Sequence, residues 1–303
     1  RSGLGSLGCD LKWKNWIRRS ATKYIQRIHR TGKEILMSDF IINDNSQITC
    51  FNHPRGLVKR DYRSNPVGCY STSTPWSMEV PVIPKAEWSE RIKDMEANKS
   101  RLSDIRDKAD GGNQMESLDQ NGQGFCWAYS TAACVMLLRA AANMPYSRLS
   151  PHSVACKIYN FRDRGAWGAL SMEFMSENGI PEEKYWPQKS MSRQYDNPET
   201  WENAKKHRIT EGWMDLNLNA YDRELSFEQV ATCLLSRIPV VLDYNWWGHS
   251  VAGMDLVETS PGKFGVRILN SWTDDWGSKG TAVLEGKKAI PDGACAARVT
   301  IGA

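Results

Sequence analysis

An α+β fold follows from three features of the sequence: a nearly continuous apolar helix beginning at Cys126, a set of strands between residues 239 and 269, and their order. Helices come first and strands second, which suits a helical half and a β half meeting in a cleft. The chain has 303 residues, 41% hydrophobic and 24% charged, enough to bury one large or two ordinary cores. A net charge of +4 over this length does not by itself argue for nucleic acid or a membrane surface, and no apolar run is long enough to span a bilayer. No integral membrane segment is therefore expected.

Residues 11–35 predict a basic amphipathic helix. Trp13, Trp16, Ile17, Ala21, Tyr24, Ile25 and Ile28 recur at helical spacing, while the other face carries mainly Lys and Arg. Such a helix either packs on the rest of the protein, which is the preferred reading, or docks to a macromolecular partner or an anionic surface. Residues 38–85 are short apolar pieces broken by Asn, Pro, Gly and Ser, a loop-rich stretch with a few strands and no legible function. Pro81 and Pro84 open a linker and an exposed helix near 81–100. The boundary is placed near residue 100, giving an N-terminal extension over 1–100 and a catalytic domain over 101–303.

Beyond Gly124 a helix is expected from Cys126 to about Ala142, apolar nearly all round and so central to a domain. A second is expected over Ala169–Glu177. Residues 239–244, 249–258 and 263–269 read as strands, the last alternating Phe264, Val266 and Ile268 with polar neighbours.

Cys126 stands at a helix start, where free backbone N–H groups and the positive dipole end favour a thiolate over the ordinary thiol of pKa about 8.5. An imidazole beside it would complete a nucleophile. His29 lies on the basic helix, His53 in a Pro/Gly loop, and His152 and His207 in polar stretches that read as surface. His249 instead begins a strand, and Gly248 before it leaves room for a substrate backbone. A hairpin of 249–258 with 263–269 would bring Asn270 to the same sheet end, where its amide oxygen can orient the ring. The Cys126 N–H and the Gln120 amide would supply the oxyanion donors.

The run Gln120-x5-Cys126-Trp-Ala-Tyr-Ser resembles the catalytic loop of papain-like cysteine proteases, and His249 and Asn270 follow at 123 and 144 residues. "RLSDIRDKAD", "LSPHSVACK", "MEFMSENGIPEEKYWP" and "NSWTDDWGSKG" are similar to further ordered motifs of that family, so the resemblance covers residues 101–285. It implies a two-lobed fold, a helical lobe and a β-sheet/barrel lobe with the site in the cleft. By the same resemblance Gly165 and Ala166 join Gly248 as substrate-binding positions, and Trp272 shields the Asn–His bond from water. The departures are specific. Gln123 stands where the family has a disulfide cysteine, "DRGA" (163–166) replaces the partner motif, and Cys156 has no following mate before Cys233. These losses favour a reducing intracellular or virion-associated setting over a secreted one. Ala166 replaces a glycine that usually pairs with substrate. The first 100 residues lack the helical charge pattern of the common propeptide, leaving open whether they inhibit, anchor or assemble.

The function so implied is hydrolysis of peptide bonds in a peptide or protein substrate, with Cys126, His249, Asn270 and Gln120 as the catalytic set. Two alternatives stand beside it: a papain-like domain kept for assembly or binding, and a cysteine amidase or peptidoglycan hydrolase. The eight cysteines show no zinc spacing and no nucleotide loop is apparent, so neither metal nor cofactor is expected.

Overall fold

A computed structural model describes residues 39–47, 53–62, 64, 82–210, 212–216 and 223–297, all within one compact unit, Asp39–Ala303. The basic helix expected at 11–35 lies outside the described residues. The helices are α1 (Trp88–Ala97), α2 (Leu102–Arg106), α3 (Cys126–Ala141), α4 (Pro151–Ile158), α5 (Gly168–Asn178), α6 (Pro198–Ala204) and α7 (Arg223–Leu235). The strands are β1 (Ile41–Ile42), β2 (Trp213–Asp215), β3 (Val240–Tyr244), β4 (His249–Ser260), β5 (Lys263–Leu269), β6 (Thr281–Glu285) and β7 (Gly293–Ala297). They form a single sheet in the order β1-β6-β5-β4-β3-β7-β2, antiparallel throughout except where β1 runs parallel to β6.

The period-two alternation of β3 divides the interior in two. Val241 packs into the core built around α3, while Val240, Leu242 and Tyr244 enter a second core with Trp88 of α1 and Val230 and Leu234 of α7. The sheet thus separates a helical lobe from a β lobe, as the order of elements predicts. Helix α3 is buried nearly all round, in keeping with its unbroken apolar sequence, and lies against β4.

Two expectations are corrected. The exposed helix before residue 100 is half-buried, with Trp88 and Ile92 in the core, and it ends where Lys99 takes a left-handed turn (φ 48°) before the separate α2. His152 and His207, read as surface residues, are buried. His152 Nδ1 lies 2.7 Å from the Tyr129 hydroxyl, so polar neighbours in sequence concealed a polar contact inside the helical lobe.

Candidate active site

Cys126 is the first residue of α3 and fully buried, and the start of β4 is tied to that helix by Ser250 Oγ, 2.8 Å from Ser130 Oγ. The loop before it is tied to the connection between α4 and α5: the Gly124 N–H donates to Asp163 Oδ1 at 2.8 Å. This link joins the region of Gln123 to the motif that replaces the family's disulfide partner. Cys126, Cys134, Cys156, Cys233 and Cys295 are all free and buried.

His249 opens β4, and the β4–β5 hairpin returns the chain so that Asn270 follows β5 beside it. His249 Nε2 lies 2.7 Å from Asn270 Oδ1. The Ser271 N–H, which can only donate, also reaches that Asn270 oxygen at 2.8 Å, which identifies the atom as the acceptor. Nε2 must then carry the proton, leaving a lone pair on Nδ1, which is buried and makes no hydrogen bond. Trp272 stacks on the His249 ring at 4.4 Å between centroids, and Trp247 meets the same ring edge-on at 5.0 Å.

Gln120 is buried between the two loops. Its Oε1 accepts from the Ser271 hydroxyl at 2.6 Å, and its Nε2 donates to the Gln123 carbonyl at 2.8 Å. The same loops are pinned by Asp274, whose Oδ1 accepts from Arg106 at 2.9 Å and from the Ser117 N–H at 3.0 Å. Cys126, Gln120, His249 and Asn270 therefore converge where the helical lobe meets the sheet.

The cleft is not open. Residues 53–62 run through it, held mostly by backbone. Leu57 forms a parallel bridge with Ala166, in which the Ala166 N–H donates to Gly56 O at 3.0 Å and the Val58 N–H donates to Ala166 O at 2.9 Å. The Leu57 N–H donates to Gly248 O at 3.2 Å, Arg55 donates to the Trp247 carbonyl at 3.1 Å, and the Trp272 indole donates to the Pro54 carbonyl at 3.0 Å. All three positions expected to bind substrate touch this segment. A Cβ on Gly165 would stand 2.4 Å from Gly56 O, so the glycine is required by the close approach. A Cβ on Gly56 would lie 1.9 Å from the Gly124 carbonyl oxygen.

Burial under this segment governs the site's electrostatics. Desolvation raises the Cys126 thiol to about 12, nearby backbone N–H groups pulling against it, and lowers His249 to about 3 against the opposing Asn270 contact. Burial thus favours the neutral forms of both groups in the covered state.

Sequence reasoning missed the role of 53–62 because backbone pairing leaves no side-chain pattern. Asp163 could have been found, since it begins the motif that lost its cysteine. Asp243, at the end of β3 with a carboxyl raised to about 6 by burial, carried no sequence signal.

The fold is that of papain-like cysteine proteases. Xylellain, a cysteine protease from Xylella fastidiosa, superposes with a TM-score of 0.53 at 16% identity over 82% of this chain and 97% of that one. Digestive procathepsin L2 from Tenebrio molitor larval midgut gives 0.55 at 15% identity over 99% and 95%. Chymopapain from Carica papaya is 27% identical over 193 residues, 58% of this chain and 53% of its own, so the chain spans about half the length of that relative. No family model matches the chain.

Proposed function

We propose that the protein is a thiol peptidase whose cleft is covered by its own residues 53–62. The observation that carries the reading is the tautomer of His249. With Nε2–H committed to Asn270, Nδ1 is the free base, on the residue next to Ser250, whose hydroxyl lies 2.8 Å from Ser130 of the helix that Cys126 opens.

Once the segment leaves and water returns, the thiol proton passes to Nδ1. The thiolate then attacks a peptide carbonyl, forming a C–S bond while the π pair moves onto oxygen, where the Cys126 N–H and Gln120 amide can stabilise it. Collapse breaks the C–N bond, and Nδ1–H protonates the departing amine. Water, deprotonated by the same nitrogen, attacks the thioester and releases the acid and the thiol.

Residues 53–62 are a poor substrate despite their position. The Gly56 carbonyl oxygen is committed to the Ala166 N–H rather than to the oxyanion donors, which disfavours attack there. That the solved Tenebrio molitor neighbour is a procathepsin agrees with this reading.

The test is labelling of the full chain and its Gly56→Val variant with a peptide-like epoxysuccinyl electrophile, read by mass spectrometry, with Cys126→Ala as control. Labelling confined to Cys126, together with thiol-dependent hydrolysis of a denatured protein by the variant, supports the peptidase. An opened cleft that neither labels nor hydrolyses overturns it and leaves a papain-like domain kept for binding or assembly.

A further inference from the structure

The loop that carries Gln120 turns back on itself at an Asn-Gly pair. Asn121 and Gly122 both hold positive φ, 46° and 88°, and the Gln123 N–H donates to the Gln120 carbonyl at 3.1 Å, so residues 120–123 form a type I′ turn. Asparagine tolerates the first of these positions and glycine the second, which is why the pair stands there. At its tip the turn is lightly held. The Asn121 N–H donates to Asp119 Oδ1 at 2.9 Å, but Asn121 and Gly122 are both exposed, and the Gly122 N–H donates to nothing among the described residues. Nor would a Cβ on Gly122 meet any atom within 4 Å.

The chain has a second Asn-Gly pair, Asn178-Gly179 at the end of α5, and the structure locks it. Gly179 is buried, its N–H donates to the Met175 carbonyl at 3.1 Å, and a Cβ there would stand 2.0 Å from Ala204 O. The Asn178 amide donates to the Phe174 carbonyl at 3.2 Å. An asparagine side-chain carbonyl is attacked by the backbone nitrogen of the next residue only when that nitrogen is free and the bonds between them can rotate. The pair at 121–122 meets both conditions and the pair at 178–179 meets neither.

We propose that Asn121-Gly122 is a site of spontaneous deamidation that ages the candidate oxyanion donor. The Gly122 nitrogen attacks Asn121 Cγ and forms a C–N bond, its proton passing through solvent to the side-chain amide nitrogen, which breaks from Cγ and leaves as ammonia. Water then adds to a carbonyl of the resulting succinimide and opens the ring, giving isoaspartate or aspartate. Ring closure requires Asn121 to rotate out of the left-handed turn, which an exposed and lightly bonded loop tip permits at small cost. Isoaspartate routes the backbone through the former side chain, adding a methylene and a carboxylate between Gln120 and Gln123. The bonds that join those residues, Gln123 N–H to the Gln120 carbonyl and Gln120 Nε2 to the Gln123 carbonyl at 2.8 Å, then no longer fit one another. A negative charge also arrives beside the amide that would stabilise an oxyanion. The effect on turnover rests on the peptidase reading above; the modification itself does not.

The test is incubation of the full chain at mildly alkaline pH, with samples digested and mapped by mass spectrometry and assayed with an isoaspartate O-methyltransferase. Asn121 should exchange its amide for a carboxyl and accept methyl groups at least about 10-fold faster than Asn178 in the same digest. Asn121→Gly keeps the turn and has no side-chain amide, so methyl acceptance at this loop should vanish. In the Gly56→Val background the converted fraction should hydrolyse a denatured protein with kcat at least about 10-fold lower than before ageing. The same protein carrying Asn121→Gly, aged alongside, should keep the rate it began with. Asn121 left intact, or converted no faster than Asn178, would overturn the assignment. Conversion with kcat unaltered would overturn its link to Gln120. Because the digest needs no turnover, a Gly56→Val protein that hydrolyses nothing sinks the peptidase reading and leaves the modification to be decided by mass alone.

Discussion

The imidazole of His53 lies flat on the indole of Trp272, with ring centroids 4.5 Å apart and planes 14° from parallel. Trp272 also stacks on His249, so one indole serves the covering segment and the candidate catalytic ring together. Loss or protonation of His53 is thereby felt beside the candidate catalytic imidazole.

Burial lowers His53, and burial with nearby Arg55 and His53 lowers His249. For a histidine depressed in the covered state, the stabilisation of that state is complete above its free value of about 6.5 and is lost as pH falls below it. Acidification therefore loosens the segment. Hydrogen exchange at residues 56–58, corrected for intrinsic rates, should show less protection at pH 5 than at pH 7. His53→Phe keeps the stack but does not titrate, so it should shrink the difference. An unchanged pH dependence would place the switch elsewhere.

Gly56→Val should open the cleft. Its side chain would overlap the Gly124 carbonyl, and overpacking of this kind costs about 1–3 kcal/mol, which predicts roughly a 5- to 100-fold rise in electrophile labelling of Cys126. Labelling no faster than in the native chain would mean that the segment does not limit access.

The reactivity of Cys126 toward iodoacetamide should change its pH profile with the cover. In the native chain the raised thiol leaves little thiolate at neutral pH, and the rate climbs far into the alkaline range. The opened variant should already react near pH 7, because solvent and His249 can then support the charge. Identical profiles for the two proteins would show that burial is not what silences the thiol.

Asn270→Ala removes the acceptor shared by His249 Nε2 and the Ser271 N–H. In the Gly56→Val background it should lower kcat on the order of 100-fold, near the lower end of what an acid–base group contributes. A fall in stability without loss of kcat would assign Asn270 a purely structural role.

Asp163→Ala should cost about 1 kcal/mol in urea denaturation by releasing the Gly124 N–H, and Asp163→Asn should recover most of it. No change in either variant would remove this contact as the substitute for the lost bridge.

Much of the candidate site's geometry was legible because its signals are local. Cys126 at a glycine-to-helix junction, His249 at a strand start and Asn270 at a strand end each announce themselves within ten residues, and hairpin pairing alone brings the last two together. The two mislocated histidines mark the limit of that approach: what buries His152 is Tyr129 and Phe125 from another helix region, which no window around "SPHSV" contains. Residues 53–62 are the extreme case. "HPRGLV" reads as a turn, yet its glycine is demanded by Gly124 and its pairing partners are Ala166 and Gly248, far away in sequence.

Ile41–Ile42 is stitched to β6 before the chain enters the cleft, and α1 is packed into the β lobe after it leaves. The covering segment is thus held at both ends by the domain it covers, so each return to the cleft is an intramolecular event with a raised effective concentration. A soluble peptide must outcompete that local supply, and one cut in the chain leaves the other tether in place. Lasting release calls for two cuts or a weakened grip, so on the peptidase reading proposed above it is escape of the segment that sets when the site becomes accessible.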